Sequence, residues 1–522
     1  MSHARSVLSP ARFLNRAAAV HPTRTAVIDG ATCHSYAELY QRARQFAGAL
    51  RHLGVRDGER VATLATNTHE MLEAHYGVPY ARGVLVALNP RLGVADLAYI
   101  LAHSGPRVLL VAQAFAAAAR DTIKLSGRDI SVLVAGEQYE NALADAAPFE
   151  ALPSDESATL AINYTSGTTG RSKGVVYTHR GAYLQALAMA FHSGMTLDST
   201  YLWTLPMFHC NGWCFTWAVS AAGATHVCLE KVDAEAVWAA IEAHGVTHLC
   251  AAPTVLSTIT AGRGKAVRGD RVIWTATGGS PPAPALLARG RARGLAITHL
   301  YGMTETYGPV VINEWQQKWD VLPEVERDRL NARQGIGNVV SDLVRVVDDA
   351  GRDVPADAHS IGEIALRGNN VTPGYFDDPE ATAAAVPDGW LRSGDLAVRH
   401  PDGYIEIRDR AKDVIISGGE NISSVEVEQA IVEHPGVLEA AVVAMPHEHW
   451  GERPVAFVTC WPGDTVTAGE LREHLRARLA QFKIPDRFEF GDLPKTATGK
   501  VQKFVLKKIL ADERARPRSP DA

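Results

Sequence analysis

Apolar and polar positions along the first half of the chain switch repeatedly between two periods. AELYQRARQFAGALRHLG (37–54) carries apolar residues at helical spacing and ends in Gly. RVATLAT (60–66) reads as a buried strand, HEMLEAHYGVPYARG (69–83) as a helix and VLVALN (84–89) as the next strand. Further on, AVWAAIEAHGVTHLCAAP (236–253) is a helix, a Gly stop and a strand. Strands alternating with helices predict α/β layers built on largely parallel sheets.

Near residue 335 the pattern changes. As far as about 408 it is strand-rich, with turns at DDAGRD (348–353) and HPDGY (400–404). Beyond 412 a separate α+β unit is expected. SVEVEQAIVEHPGV (424–437) is a helix closed by Pro-Gly, and LEAAVVAMP (438–446) and RPVAFVTCW (453–461) are strands. AGELREHLRARLAQFKIP (468–485) is one amphipathic helix stopped by Pro485. The expected division is an N-terminal domain at 1–408, with its strand-rich subdomain at about 335–408, and a C-terminal domain at 413–522.

Composition narrows the class. The chain has 522 residues, 46% of them hydrophobic, enough for several cores. Its formal charge of −6 and the lack of a long basic run argue against nucleic acid as a partner. No apolar run approaches the ~20 residues of a membrane span. Six scattered cysteines without a CxxC pair point to a reducing, cytoplasmic setting. His209, Cys210 and Cys214 lack the second ligand cluster that a zinc site needs.

Five stretches carry chemistry. In YTSGTTGRSKG (164–174), glycines, hydroxyls and a Lys offer a phosphate chain backbone N–H groups and a cation. The same composition also builds a solvated turn. It is not a Walker loop, since the sixth position from Gly167 is Ser172. LYGMTETYGP (300–309) puts Thr304 beside Glu305, oxygen ligands suited to Mg²⁺, or simply a polar turn. RSGDL (392–396) offers an Asp for ribose hydroxyls. RDRAKDVIISGGENISS (408–424) clusters charges around a Gly-Gly pair, and PKTATGKVQK (494–503) presents Lys500 on a Gly/Thr turn.

In this order, the five stretches closely resemble those of the adenylate-forming superfamily, in its acyl-CoA synthetase group. The similarity runs from LSPARFLNRAAAVHPTRTAVI (8–28) to PKTATGKVQKFVLKK (494–508). LWTLPMFHCNGWCFTW (202–217) resembles the medium-chain or aromatic acyl-CoA ligases. The resemblance implies a large N-terminal domain of α/β layers with a distorted, β-barrel-like subdomain, and a small mobile C-terminal domain turning on a hinge at 409–412, centred on Lys412. It implies an AMP-forming acid–thiol ligase, with ATP, Mg²⁺ and CoA as its reactants and cofactors and a carboxylic acid as substrate; a homodimer is compatible with it. Adenylation with another acceptor, such as a carrier-protein phosphopantetheine, or of another oxyanion, is the alternative.

The site residues follow from the same resemblance. Thr165, Ser166, Gly167, Thr168, Thr169 and Lys173 would close over the β- and γ-phosphates. Thr304 would contact the α-phosphate and Glu305 would hold Mg²⁺. Asp395 and Arg410 would hold the ribose, and the adenine would lie between Tyr301 and Gly278, Gly279 and Ser280. Lys500 would stabilise the adenylation transition state, and His209 would lie beside the substrate carboxylate. Gly418, Gly419 and Glu420 would swing in with the hinge to form a pantetheine channel. Phe208, Trp213, Phe215 and Trp217 are apolar company for an acyl tail, and Gly302 would leave that tail room.

Overall fold

A computed structural model describes residues 6–165, 171–261, 266–267, 271–280, 282, 284–496 and 500–515. Two large, mostly parallel sheets form the N-terminal part. In the six-stranded sheet, Ser131–Val134, Val108–Val111, Arg60–Leu64, Val84–Ala87, Thr159–Tyr164 and Gly174–Thr178 follow in that order. Only the last pair is antiparallel, and it holds the two ends of the Gly/Thr loop together. The nine-stranded sheet runs Ile336–Gly337, Gly308–Ile312, Leu295–Met303, Ile273–Thr277, His248–Cys250, Thr200–Leu202, Thr225–Val227, Thr25–Asp29, Thr32–Ser35. Its interior is parallel and its margins are antiparallel.

Helices Tyr36–His52 and His69–Tyr80 join these sheets through one core. It takes Leu39 and Phe46 from the first helix and Met71 and Tyr76 from the second. It also takes Leu110 and Tyr177 from the smaller sheet and Tyr201 and Leu300 from the larger. The first helix starts at a capping box, where Ser35 Oγ accepts from Glu38 N at 3.3 Å and Glu38 accepts from Ser35 N at 2.7 Å. The predicted Gly stop is also present: Gly245 ends helix Ala234–His244 in the left-handed conformation, φ +62°.

The strand-rich segment is a four-stranded antiparallel sheet, Arg345–Val347, Ile361–Leu366, Leu391–Arg399 and Ile405–Arg410. Its outer strands are not paired with each other, so the barrel-like subdomain is an open sheet rather than a closed one. It packs on the margin of the nine-stranded sheet through Tyr301, Val310 and Val311.

The C-terminal part is a five-stranded sheet built on the long hairpin Val437–His447 and Gly451–Cys460, with helices Ser424–Val432, Ala468–Arg476 and Lys503–Ala515. The helix expected over 468–485 stops at Arg476. There the Arg478 guanidinium donates to the His474 carbonyl at 2.9 Å and pairs with Glu433, satisfying the helix end long before Pro485. The two parts meet at Asp409, whose carboxylate accepts from Ser424 N at 2.5 Å, at the start of a C-terminal helix. Arg289 also reaches across, its guanidinium 5.1 Å from the centroid of the Trp461 ring.

Candidate active site

The chemistry-bearing residues converge where Leu295–Met303 ends and the sheet changes from parallel to antiparallel. Register places Asp395 opposite Arg410 on neighbouring strands. Arg410 Nε pairs with Asp395 Oδ1 at 3.0 Å, and the Tyr301 hydroxyl donates to Asp395 Oδ2 at 2.7 Å. Asp395 is buried. A fixed carboxylate flanked by an aromatic ring and a cation suits a sugar with neighbouring hydroxyls. Gly278, Gly279 and Ser280 follow the adjacent strand Ile273–Thr277, with Gly279 at φ +90°.

Thr304 and Glu305 form the turn after Met303. The Thr304 carbonyl accepts from the Tyr177 hydroxyl at 2.7 Å, and Tyr177 stacks on Tyr307 at 3.9 Å. Glu305 is buried, and its Oε1 accepts from Tyr375 at 2.8 Å. Burial raises its proton affinity, although Tyr375, Lys173 and Arg410 act the other way. A hard cation would relieve that desolvation, so one buried carboxylate beside the Thr304 hydroxyl fits Mg²⁺ carrying its own water and phosphate oxygens. Lys173 lies over the Tyr375 ring, 4.7 Å from its centroid. Thr165 N donates to the Lys173 carbonyl at 3.0 Å, stapling the loop ends. Ser166, Gly167, Thr168 and Thr169 lie outside the described residues.

Lys500 arrives from the far end of the chain, tied beside Lys495 and Thr496. Lys495 pairs with Val501, and Thr496 N donates to the Lys500 carbonyl at 2.8 Å. Burial, then the charges of Arg410 and Lys412, bring its ammonium down to about 8 against the opposing pull of Asp395 and Asp413. His209 lies within the field of Lys500. Burial, then that charge, holds its imidazole at about 4, so the ring is neutral at physiological pH. Lys412 is exposed at the junction. Gly418 and Gly419, both at positive φ (+62° and +87°), form the turn between Ile415–Ser417 and Glu420–Ile422. That turn is exposed, Glu420 included, and its neighbour is the Trp450 indole, which a Cβ at Gly418 would meet at 2.8 Å.

The turn at 210–214 and the hydrogen bonds beneath it are not among the sequence expectations, although Cys210, Trp213 and Cys214 are named there for other reasons. Cys210, Asn211, Gly212, Trp213 and Cys214 all have positive φ, between 45° and 62°. Each non-glycine residue there costs about 1–2 kcal/mol. The turn is pinned by Cys210 Sγ on Thr304 Oγ1 at 3.7 Å and Cys214 Sγ on the Tyr307 carbonyl at 3.6 Å. Beneath it runs a buried chain of hydrogen bonds with a forced direction. His75 Nδ1–H donates to the Met71 carbonyl at 2.7 Å, which leaves Nε2 to accept from Asn211 Nδ2 at 3.0 Å. Asn211 Oδ1 then accepts from Asn163 Nδ2 at 2.6 Å. Gly302 has a different reason from the one expected. The strand pairing bulges between Tyr301 and Gly302, and a Cβ there would collide with the Gly308 carbonyl. Close backbone approach by itself requires this glycine.

A family model described as AMP-binding enzyme matches residues 14–376, and one described as AMP-binding enzyme C-terminal domain matches residues 426–500. An acetate/butyrate–CoA ligase of Arabidopsis thaliana, AAE7, named as peroxisomal, is 42% identical over 98% of this chain and 96% of its own. A peroxisomal benzoate–CoA ligase of the same plant is 40% identical over 96% and 93%. Among solved structures, ATP-bound MatB from Rhodopseudomonas palustris superposes with a TM-score of 0.85 at 28% identity, covering 96% of this chain and 99% of that one.

Fold and site together define an adenylate-forming enzyme. The chain belongs to the AMP-binding enzyme family, as an AMP-forming acyl-CoA synthetase that uses ATP to activate a carboxylic acid and CoA to accept the acyl group. The peroxisomal relatives leave a cytoplasmic address without support from the comparisons. No helix among the described residues is long and apolar enough to cross a membrane.

Proposed function

We propose that this site joins a short- to medium-chain or aromatic carboxylic acid to CoA in two steps on one cleft. The observation that carries the reading is Lys500, standing in the common field of Arg410, Asp395 and His209, with Glu305 and Thr304 on the adjoining turn. In the first step a carboxylate oxygen of the acid bonds to the α-phosphorus of ATP, and the bond to the β-phosphate bridge breaks, releasing pyrophosphate. Negative charge grows on the α-phosphate oxygens. Protonated Lys500 and the Thr304 hydroxyl stabilise it, while Asp395, Arg410 and Tyr301 hold the ribose. Lys173 and Thr165 serve the outer phosphates. Glu305 would hold Mg²⁺, which would neutralise phosphate charge. His209, neutral, flanks the carboxylate without adding a charge that would weaken its nucleophilicity.

In the second step the sulfur of CoA bonds to the acyl carbon, AMP leaves, and the thiol proton passes to solvent. The hinge at 409–412 withdraws Lys500 and delivers the Gly418–Gly419–Glu420 turn, whose exposure in this structure fits an adenylation-competent orientation. A reducing compartment suits six free cysteines.

The test is pyrophosphate release with ATP against short, medium and aromatic acids, each with and without CoA. Release that requires an acid, with acyl-CoA and AMP as products, is expected. An acid-dependent release giving no thioester would move the acceptor away from CoA.

A further inference from the structure

A second cluster of metal-binding side chains lies apart from the adenylation residues, where the far edge of the nine-stranded sheet meets helices Tyr36–His52 and His69–Tyr80. Asp29 ends strand Thr25–Asp29, and His34 lies on the edge strand Thr32–Ser35. His69 and Glu73 share one face at the start of the second helix. His34, His69 and Glu73 each bring one donor atom to within 4.8 Å of the other two. An open depression of about 400 Å³ beside His34, lined also by Glu38, Gln41 and Arg42, admits an ion from solvent.

Each of the three is prepared for a cation in its own way. His34 Nε2 is buried and has no hydrogen-bond partner among the described residues, an unfavourable state for a polar atom that a ligand bond would relieve. His69 is oriented by a carboxylate. Its Nδ1 lies 2.8 Å from Asp29 Oδ2, which also accepts from His69 N at 2.9 Å. With its Nδ1 proton directed to Asp29, the neutral ring keeps its lone pair on Nε2, the usual support of a metal-binding imidazole. Glu73 is fully buried; its Oε1 accepts from Arg42 Nε at 2.5 Å and its Oε2 from the Tyr139 hydroxyl at 2.6 Å. A carboxylate has about four lone-pair sites, so both oxygens retain acceptor capacity. Charge favours the same ligand. Asp29, Glu70, Glu73 and Glu140 gather around the Arg42 guanidinium and His69, and a divalent cation would offset the surplus of carboxylates.

We propose that His34, His69 and Glu73 bind one Zn²⁺, with water in the remaining position and Asp29 holding His69 from behind. Two imidazoles and one carboxylate are a donor set suited to that ion. The ion would clip the edge strand of the sheet to helix His69–Tyr80. It acts on stability and takes no part in the chemistry at phosphorus.

The experiment takes the full chain, stripped of metal by a chelator, and titrates it with zinc chloride by calorimetry in the absence of ATP. Zinc retained through gel filtration is counted by mass spectrometry, and Tm is measured with and without the ion. The variants are His34→Ala, His34→Gln, His69→Gln and Asp29→Asn, each checked for folding by circular dichroism. Wild type is expected to retain one zinc. Both His34 variants and His69→Gln should lose it, and Asp29→Asn should bind it about 10- to 100-fold more weakly, the usual effect of removing an outer carboxylate. Zinc should raise the Tm of wild type and leave that of His34→Ala unchanged. Pyrophosphate release with Mg-ATP and acid should be the same in both. His34 is only half-buried on an edge strand, so its variants carry the test if those at 69 or 29 do not fold. A wild type that retains no zinc would overturn the proposal, as would equal retention by a folded His34 variant. Either result would leave a plain ion-pair cluster, with protonated His69 between Asp29 and Glu70. Zinc bound at His34 without a rise in Tm would overturn the clip.

Discussion

Removing the Lys500 ammonium should separate the two half-reactions. In Lys500→Ala the proposed α-phosphate position loses the Lys500 ammonium, while Asp395, Arg410 and Tyr301 keep their mutual contacts at 2.7–3.0 Å. ATP binding should change little, because the residues proposed to hold the ribose keep their arrangement. The loss falls on the transition state, where a preorganised donor in a water-poor site is worth about a hundred- to a thousandfold in kcat. A partly buried, charged donor belongs at the upper end of that range. The assay is pyrophosphate release under saturating ATP and acid, beside thioester formation from supplied acyl-adenylate and CoA. Pyrophosphate release should fall by that factor and thioester formation should stay near wild type. Wild-type pyrophosphate release, or equal loss in both assays, would refute the role. The pH profile is an independent check. Lys500 is lowered from 10.5 to about 8, so its charged form is lost as pH rises through about 8. kcat/KM for adenylation, which reports the free enzyme, should be flat below that point and fall above it. Bound phosphates favour the ammonium, so the same limb in kcat should sit at higher pH. His209, held at about 4, should add no inflection near 6.5.

Asp395→Asn removes the charge that pairs with Arg410, and KM for ATP should rise about 10- to 100-fold, the scale of a charge-assisted hydrogen bond, in steady-state assays; an unaltered KM would count against the ribose assignment. Asn211→Ala leaves His75 Nε2 and Asn163 Nδ2 buried without their partners and places Ala at φ 45°, so the chain should lose about 2–4 kcal/mol in urea unfolding of the N-terminal part; a midpoint like wild type would show the network to be dispensable. Lys412→Pro stiffens the proposed hinge and should slow acyl transfer to CoA more than pyrophosphate release; equal slowing would place the pivot elsewhere.

The sequence carries local structure well and long-range partnership poorly. Helix Tyr36–His52 shows its period, its capping Ser35 and its acidic Glu38 within one short window, because each depends on neighbours in the chain. The sheet order does not depend on neighbours. Thr25–Asp29 pairs in parallel with Thr225–Val227, two hundred residues on, and no pattern in either strand names the other. The same divide runs through the site. The Thr304–Glu305 pair, Asp395 and Lys500 are visible as residue types in telling contexts. Tyr375, which donates to Glu305 across seventy positions, is an unmarked tyrosine after a Pro-Gly. Gly302 was legible as a glycine that matters, but its cause lies in the bulge against Gly308.

What escaped local reading is concentrated where the chain departs from local preference. In CNGWC only Asn211-Gly212 favours positive φ, and Cys210, Trp213 and Cys214 do not. The turn exists because Asn211 is anchored to the His75–Met71 chain below while Cys210 and Cys214 rest on the Thr304–Tyr307 turn above. The same crowding appears in charge. Lys500 stands near two other cations and Glu305 is desolvated, both unfavourable for the protein alone. An incoming polyphosphate with its cation reverses both terms, since anions suit the Lys500 cluster and a metal suits the carboxylate. At this edge of the sheet, strain that packing holds in place coincides with charges that a ligand would neutralise. That coincidence locates the cleft independently of any one motif.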